Sequence, residues 1–140
     1  MISRIGMFRP LYCTAMGKAL VSTLGAPERR LLFSALRFHH FTPKTITAAP
    51  KFEDEIVKIQ TQGYAVDDEE VALGARCVAV SAAVCGGKLA AAVSVSAPIR
   101  RMPRDLVPSI AREVHTAVQT FAATVDCSAI HAPCVDSASA

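Results

Sequence analysis

Two runs of small and β-branched residues, 76–84 (RCVAVSAAV) and 88–97 (KLAAAVSVSA), flank the pair Gly86-Gly87. A Gly-Gly pair between such runs marks a β-hairpin, because the turns that match strand twist need positive φ. The hairpin constrains the fold more than any other segment. Two isolated strands are at best marginally stable in water, so their apolar face must be covered by other elements. If the two glycines form a two-residue turn, Cys77 lies opposite Ser96 and Ala79 opposite Ser94, with all four on one face. The other face then carries Val78, Val80, Val93 and Val95 and packs against a helix layer. A three-residue loop with a glycine bulge would shift this register and part Cys77 from the two serines.

The covering helices are found on both sides of the hairpin in sequence. Thr14 is a suitable N-cap for a helix over residues 16–24, with Ala19, Leu20 and Leu24 at helical spacing and Gly25 as its end. Pro27 suits the first turn of a second helix, 27–36, with an apolar stripe of Leu31, Leu32 and Leu36 and with Arg29 and Arg30 facing out. Residues 37–49 read as a connecting loop. Pro50 opens a third helix bearing Phe52, Ile56 and Ile59 on one face, and Gly63 stands where a left-handed cap belongs. Residues 64–66 form a short strand that runs into a solvated acidic turn, Asp67 to Glu70. After Pro103 a long last helix carries Val107, Ile110, Val114, Val118, Phe121 and Val125 as its stripe. Helices before, between and after an antiparallel pairing give an α+β layer architecture.

At 140 residues the chain fits one ordinary domain. Its longest apolar runs are broken by Ser81 and Ser94, far short of the roughly 18 residues that span a bilayer. Residues 1–9 have no long apolar centre, so they do not read as a secretory signal, and a cytoplasmic location and no membrane partner are expected. Five cysteines without a C-x-x-C pair favour reduced thiols over a disulfide framework or a four-ligand zinc site. The net charge of +3 is spread along the chain, and no helix-turn-helix or zinc finger accompanies it.

Two features could hold a ligand. The helix start at Thr14-Ala15-Met16-Gly17 offers free backbone N–H groups that suit a carboxylate or phosphate; a capped helix without ligand is the alternative. It is not a Walker loop, since Tyr12 stands where the first Gly would be and Ala19 where Ser or Thr belongs. The second feature is the hairpin face with Cys77, Ser94 and Ser96, small polar groups that also occur as simple packing. The acidic run lacks EF-hand spacing, and His39-His40 lack the separation of zinc ligands, so no metal and no cofactor are expected. His115 is expected to face solvent. No nucleophile motif such as G-x-S-x-G surrounds Cys77, and no catalytic residue is assigned.

Residues 10–19 (PLYCTAMGKA), 41–47 (FTPKTIT), 62–77 (QGYAVDDEEVALGARC) and 94–98 (SVSAP) resemble, in order and spacing, the C-terminal domain of the IclR family. The resemblance implies a GAF-like, profilin-type antiparallel sheet with flanking helices that binds a small effector, usually an organic or aromatic acid. It also implies an N-terminal winged helix-turn-helix, and dimers or tetramers. Carried across by motif, the effector would meet the backbone amides of Ala15 and Met16, the side chains of Asp67 and Cys77, and the hydroxyls of Ser94 and Ser96, with Tyr12 and Ala75 at the walls. The implied partners are a small carboxylate effector and a second copy or a full-length homologue. DNA would be reached only through a winged-helix domain absent from this chain. A dimerisation module with a dead pocket and a small cysteine-dependent hydrolase are the rival readings.

The chain departs from the family in three places. Ala97 stands where Gly is common, residues 126–140 read as a loose tail without counterpart, and residues 1–7 cannot replace the early strands that precede position 8. The domain over residues 8–125 is therefore expected to be N-terminally truncated. A sheet without those strands leaves an unpaired edge beside Ala/Val-rich strands with few charges. A small domain is stable by only about 5–15 kcal/mol, so such a loss is serious. The purified chain should self-associate or melt low in size-exclusion and thermal measurements; a monodisperse monomer melting above about 65 °C, beyond the usual mesophile range, would contradict this.

Overall fold

The computed structural model describes residues 8–85 and 89–125. The elements run α1 (Ala15–Val21), α2 (Ala26–Ala35), α3 (Ala49–Gln62), β1 (Ala65–Asp68), β2 (Ala75–Val84), β3 (Leu89–Pro98), a 3-10 turn (Arg104–Leu106) and α4 (Val107–Thr124). The three strands form one antiparallel sheet in the order β1-β2-β3. Cys77 pairs with Ser96 and Ala79 with Ser94, which is the register of a two-residue turn. The turn glycines themselves, residues 1–7 and the tail 126–140 lie outside the described residues.

The strand alternation sorts the helices into layers. Val78 and Val80 bury on one face beneath Val107, Ala111, Val114 and Val118 of α4, a stripe at helical spacing. Ala65, Cys77 and Ala79 turn to the opposite face, where they meet Ala15 and Ala19 of α1 and Phe52, Ile56 and Ile59 of α3. The α+β layering is thus as the patterning indicates, with α4 on one side of the sheet and α1, α2 and α3 in the cluster on the other. Val93 and Val95 depart from it: they share the α4 face but remain 38% and 42% exposed. They stand on β3, an edge strand, and the apolar stripe of α4 lies over β2. Phe121, expected on that stripe, is also exposed.

Local chemistry accounts for most of the boundaries. Thr14 caps α1, its hydroxyl accepting the Gly17 N–H at 3.2 Å and donating to the Pro10 carbonyl at 2.8 Å. Gly63 ends α3 at φ 83°, as a left-handed cap requires. Gly25 does not end α1, which stops at Val21. It is instead the extended N-cap of α2, its N–H donating to Glu28 Oε2 at 2.7 Å. On α2 Leu32 and Leu36 turn inward and Arg30 outward as expected, but two positions are exchanged: Leu31 is 75% exposed and Arg29 is buried. Arg29, Leu32, Phe33 and Leu36 form the inward stripe at spacings of three and four. The guanidinium is neutralised there by Glu53 of α3 at 2.7 Å and donates to the Leu24 carbonyl at 2.8 Å.

Cys13 and Cys77 are free thiols. Cys85 is disulfide-bonded, against the expectation of five reduced thiols. Among the described residues no helix is long and apolar enough to cross a membrane.

The approach of α1 to the chain before it leaves no room at Gly17. A Cβ there would stand 2.5 Å from Leu11 Cα and carbonyl oxygen and 2.7 Å from Thr14 Oγ1. Two of those three atoms are backbone and cannot swing away. Gly17→Ala should lower unfolding stability by about 1–3 kcal/mol or more, seen as a fall in the urea midpoint; an unchanged midpoint would refute the close packing.

Candidate functional site

The middle rung of the sheet gathers three of the expected residues. Asp67 pairs with Cys77 and Cys77 with Ser96, so their side chains form a row on the face covered by α1. Ser96 Oγ donates to Cys77 Sγ at 3.0 Å. Asp67 is buried rather than part of a solvated turn, because β1 continues through Asp68 and carries it under the helix layer. Its Oδ1 accepts the Glu70 N–H at 2.8 Å and the Val71 N–H at 3.4 Å. Burial raises the Asp67 pKa, while those backbone donors and Lys18 pull it down. Burial also raises the Cys77 thiol; the bond from Ser96 lowers it and the charge of Asp67 raises it again. A thiol held protonated is a polar wall, not an activated nucleophile.

The remaining expected residues are spread around this row. Ala15 is buried in the same packed cluster as Tyr12, Cys77 and Ala79. The Met16 side chain is exposed. Gly17 and Lys18 bond to Thr14, whereas the N–H groups at the first helical positions, Ala15 and Met16, have no partner within the helix. Tyr12 is packed on Phe38 with ring centroids 4.8 Å apart. Its hydroxyl accepts the His39 N–H at 2.6 Å and donates to the His39 carbonyl at 3.0 Å. Ser94 is half-buried opposite Ala79. Ala75 and Ser96 line a recess of about 270 Å³ together with Leu73, Gly74 and Pro98.

Sequence reasoning missed the charged cluster beneath this row. Lys18 is 0% exposed, and its Nζ lies 2.5 Å from Glu70 Oε1 and 3.2 Å from Glu55 Oε1. Glu70 is buried too, so the acidic run is half interior: Asp67 and Glu70 point in, while Asp68 and Glu69 lie nearer the surface. Burial pushes the Glu70 carboxyl up to about 7 against the pull of Lys18. The Cys13 thiol is pushed up to about 12, first by burial and then by Asp67 and Glu70. A signal was present in the spacing, since Lys18 shares a helix face with Ala15 and Ala19.

Two threonines hold the acidic turn in place. Thr42 Oγ1 donates to the Glu69 carbonyl and Thr45 Oγ1 to the Glu70 carbonyl, both at 2.7 Å. Glu69 adopts φ 64°, a strained value for a side chain of this size. Its carboxylate is clamped by Lys44 and by the Gly74 N–H at 2.8 Å. His39, His40 and His115 are exposed, and no group of three His, Cys, Asp or Glu able to hold a metal occurs among the described residues.

A family model, bacterial transcriptional regulator IclR C-terminal, matches residues 1–123. The HTH-type transcriptional regulator KdgR of Escherichia coli K12 is 32% identical over 123 residues, covering 88% of this chain and 47% of that protein. The crystallised C-terminal domain of E. coli KdgR superposes with a TM-score of 0.75 at 30% identity, over 81% of this chain and 70% of that one. The Agobacterium tumefaciens repressor BlcR gives 0.81 at 26% identity, over 86% and 49%. A double mutant of the inducer-binding domain of the PobR transcription factor from Acinetobacter, in complex with 3-hydroxybenzoic acid, shares the fold at a TM-score of 0.74 and 23% identity, over 86% and 71%. The chain spans about half the length of the curated relatives it matches. Its three-stranded antiparallel sheet with helices on both faces is the architecture of these C-terminal domains. The chain belongs to the IclR family of bacterial transcriptional regulators, as part of their C-terminal domain.

Proposed function

We propose that this domain senses a small organic or aromatic carboxylic acid for a transcription regulator. The observation that carries the reading is the row Asp67-Cys77-Ser96 on the face that α1 crosses, next to the recess at Ala75 and Ser96. The effector carboxylate would take the free amides of Ala15 and Met16, which need an acceptor. Its remaining polar groups would meet Ser94, Ser96, Cys77 and Asp67, with Tyr12 and Ala75 as walls. The complex of PobR with an acid that also bears a hydroxyl supports this chemistry for the fold. In a full-length regulator, an effector that binds one of two states more tightly would shift the population that holds DNA.

The raised thiols of Cys13 and Cys77 argue against the cysteine hydrolase, since a nucleophilic cysteine needs a lowered pKa. A module that only associates, with a dead pocket, is favoured by one feature, the apolar side chains of Val93 and Val95 left exposed on edge strand β3.

Calorimetry with aliphatic and aromatic carboxylates distinguishes the two, because an association module takes up none of them. For an acid that binds, Ser96→Ala or Cys77→Val should weaken affinity by about 1–3 kcal/mol, roughly 5- to 150-fold, as a buried polar group of the ligand loses its partner. Unchanged affinity in both variants would mean that the row is packing alone.

A further inference from the structure

A cleft of about 640 Å³ lies on the far side of β1 from the row just described. Its lining includes Lys58 of α3, Tyr64 just before β1, Val66 and Asp68 of β1, Glu70, and Arg104 before α4. The hydrogen-bond phase of the sheet shows what the strand presents there. The Glu69 N–H donates to the Ala75 carbonyl at 3.0 Å. Backbone groups alternate in direction along an antiparallel strand, so Asp67 and Ala65 also turn theirs to β2. Val66 and Asp68 therefore turn theirs outward, into the cleft.

The floor holds a polar atom without a partner. Glu70 Oε1 takes the Lys18 ammonium, but Glu70 Oε2 is buried with no hydrogen-bond partner. Buried acceptors are nearly always paired, so an exception that faces a cleft asks for a donor from outside the chain. The rim has the opposite sign to spare. Lys58 has Glu55 at 3.7 Å and is 65% exposed, and Arg104 spends Nε and one terminal nitrogen on Asp68 while 76% exposed. A guanidinium has five N–H donors, so Arg104 retains some for a ligand.

We infer that this cleft is a second ligand site that takes a short zwitterionic peptide in extended form, its ammonium on Glu70 Oε2, its main chain on Val66 and Asp68, and its carboxylate on Lys58 and Arg104. A peptide meets all three demands at once. An inorganic anion would satisfy the rim alone, and a simple amine the floor alone. Addition of a strand to an open edge is an established mode of peptide recognition. Three extended residues span about 10 Å, close to the length of the four-residue β1. Burial has already raised the Glu70 carboxyl to about 7, so an ammonium supplies compensation that the site lacks. The site is separate from the proposed effector pocket, since the cleft and the recess at Ala75 and Ser96 share no lining residue.

The probe is triglycine, titrated into the isotope-labelled 140-residue chain and followed by amide chemical shifts. Saturable shifts at Val66 and Asp68 are expected, with a dissociation constant in roughly the millimolar range. N-acetyltriglycine, which lacks the ammonium, should bind about tenfold more weakly or not at all, as should triglycine to Glu70→Gln. Lys58→Ala alters only an exposed side chain and should weaken binding about threefold or more, so the test stands even where Glu70→Gln fails to fold. Benzoate, a probe for the effector pocket without an ammonium, should not compete with triglycine. No saturable shift at Val66 and Asp68, equal binding of the acetylated peptide, or competition by benzoate would overturn the assignment.

Discussion

Lys18 is a fully buried ammonium on the inward face of a two-turn helix, and the rest of the domain is arranged around its neutralisation. A charge taken out of water is costly, and a partner removed from a buried pair leaves that cost uncompensated. Glu70 from the turn after β1 and Glu55 from α3 both reach it. Three segments that are far apart in sequence are thereby held at one point. Thr42 and Thr45 grip the carbonyls of the same turn, so the loop between α2 and α3 is drawn in as well. A buried pair of this kind typically adds little net stability, whereas lifting α1 from the sheet would leave its carboxylate partners without the ammonium.

That placement matters because it keeps α1 packed on the polar face of the hairpin. The sheet divides its two faces by the period of two along each strand: valines under α4, and Asp67, Cys77, Ser94 and Ser96 toward α1. Apolar burial on one side holds the strands, which leaves the other side able to carry polar groups at low cost as long as they bond to one another. Ser96 to Cys77, and Asp67 to the backbone of its own turn, meet that condition. In the proposed reading, this is what an effector domain needs, a rigid support and a polar face that a ligand would complete.

The charges also separate structural from accessible roles. Arg76 reaches Asp68 at 2.6 Å and the Met102 carbonyl, joining β1, β2 and the approach to α4, and both its partners are spent within the fold. Glu70 differs, since one of its oxygens serves Lys18 and the other has no partner. The distinction between a satisfied ion pair and a half-satisfied one separates packing from a place where another molecule can bind.

Much of this was readable from local rules. The Gly-Gly pair and the two flanking runs specified the hairpin, because turn geometry and the period of two act over neighbouring residues, and the strand pairing then chose the two-residue register of the two that the sequence allowed. Thr14, Pro50 and Gly63 marked helix ends for the same reason, and the stripe of α4 followed from its spacing. The interior charges were not readable in this way. Lys18 and Glu70 are 52 positions apart, and Arg29 and Glu53 are 24 apart, so each looks like a solvated charge until the fold brings its partner close. The same cause exchanged Arg29 and Leu31 on α2 and left Val93 and Val95 exposed, since burial depends on what lies opposite and not on the residue itself. The sequence by itself determined the helices, the two strands of the hairpin and the alternation of their faces; the tertiary structure alone decided between the two hairpin registers, which charges are interior and which strand edges stay open, because these depend on pairing and packing that no local pattern encodes.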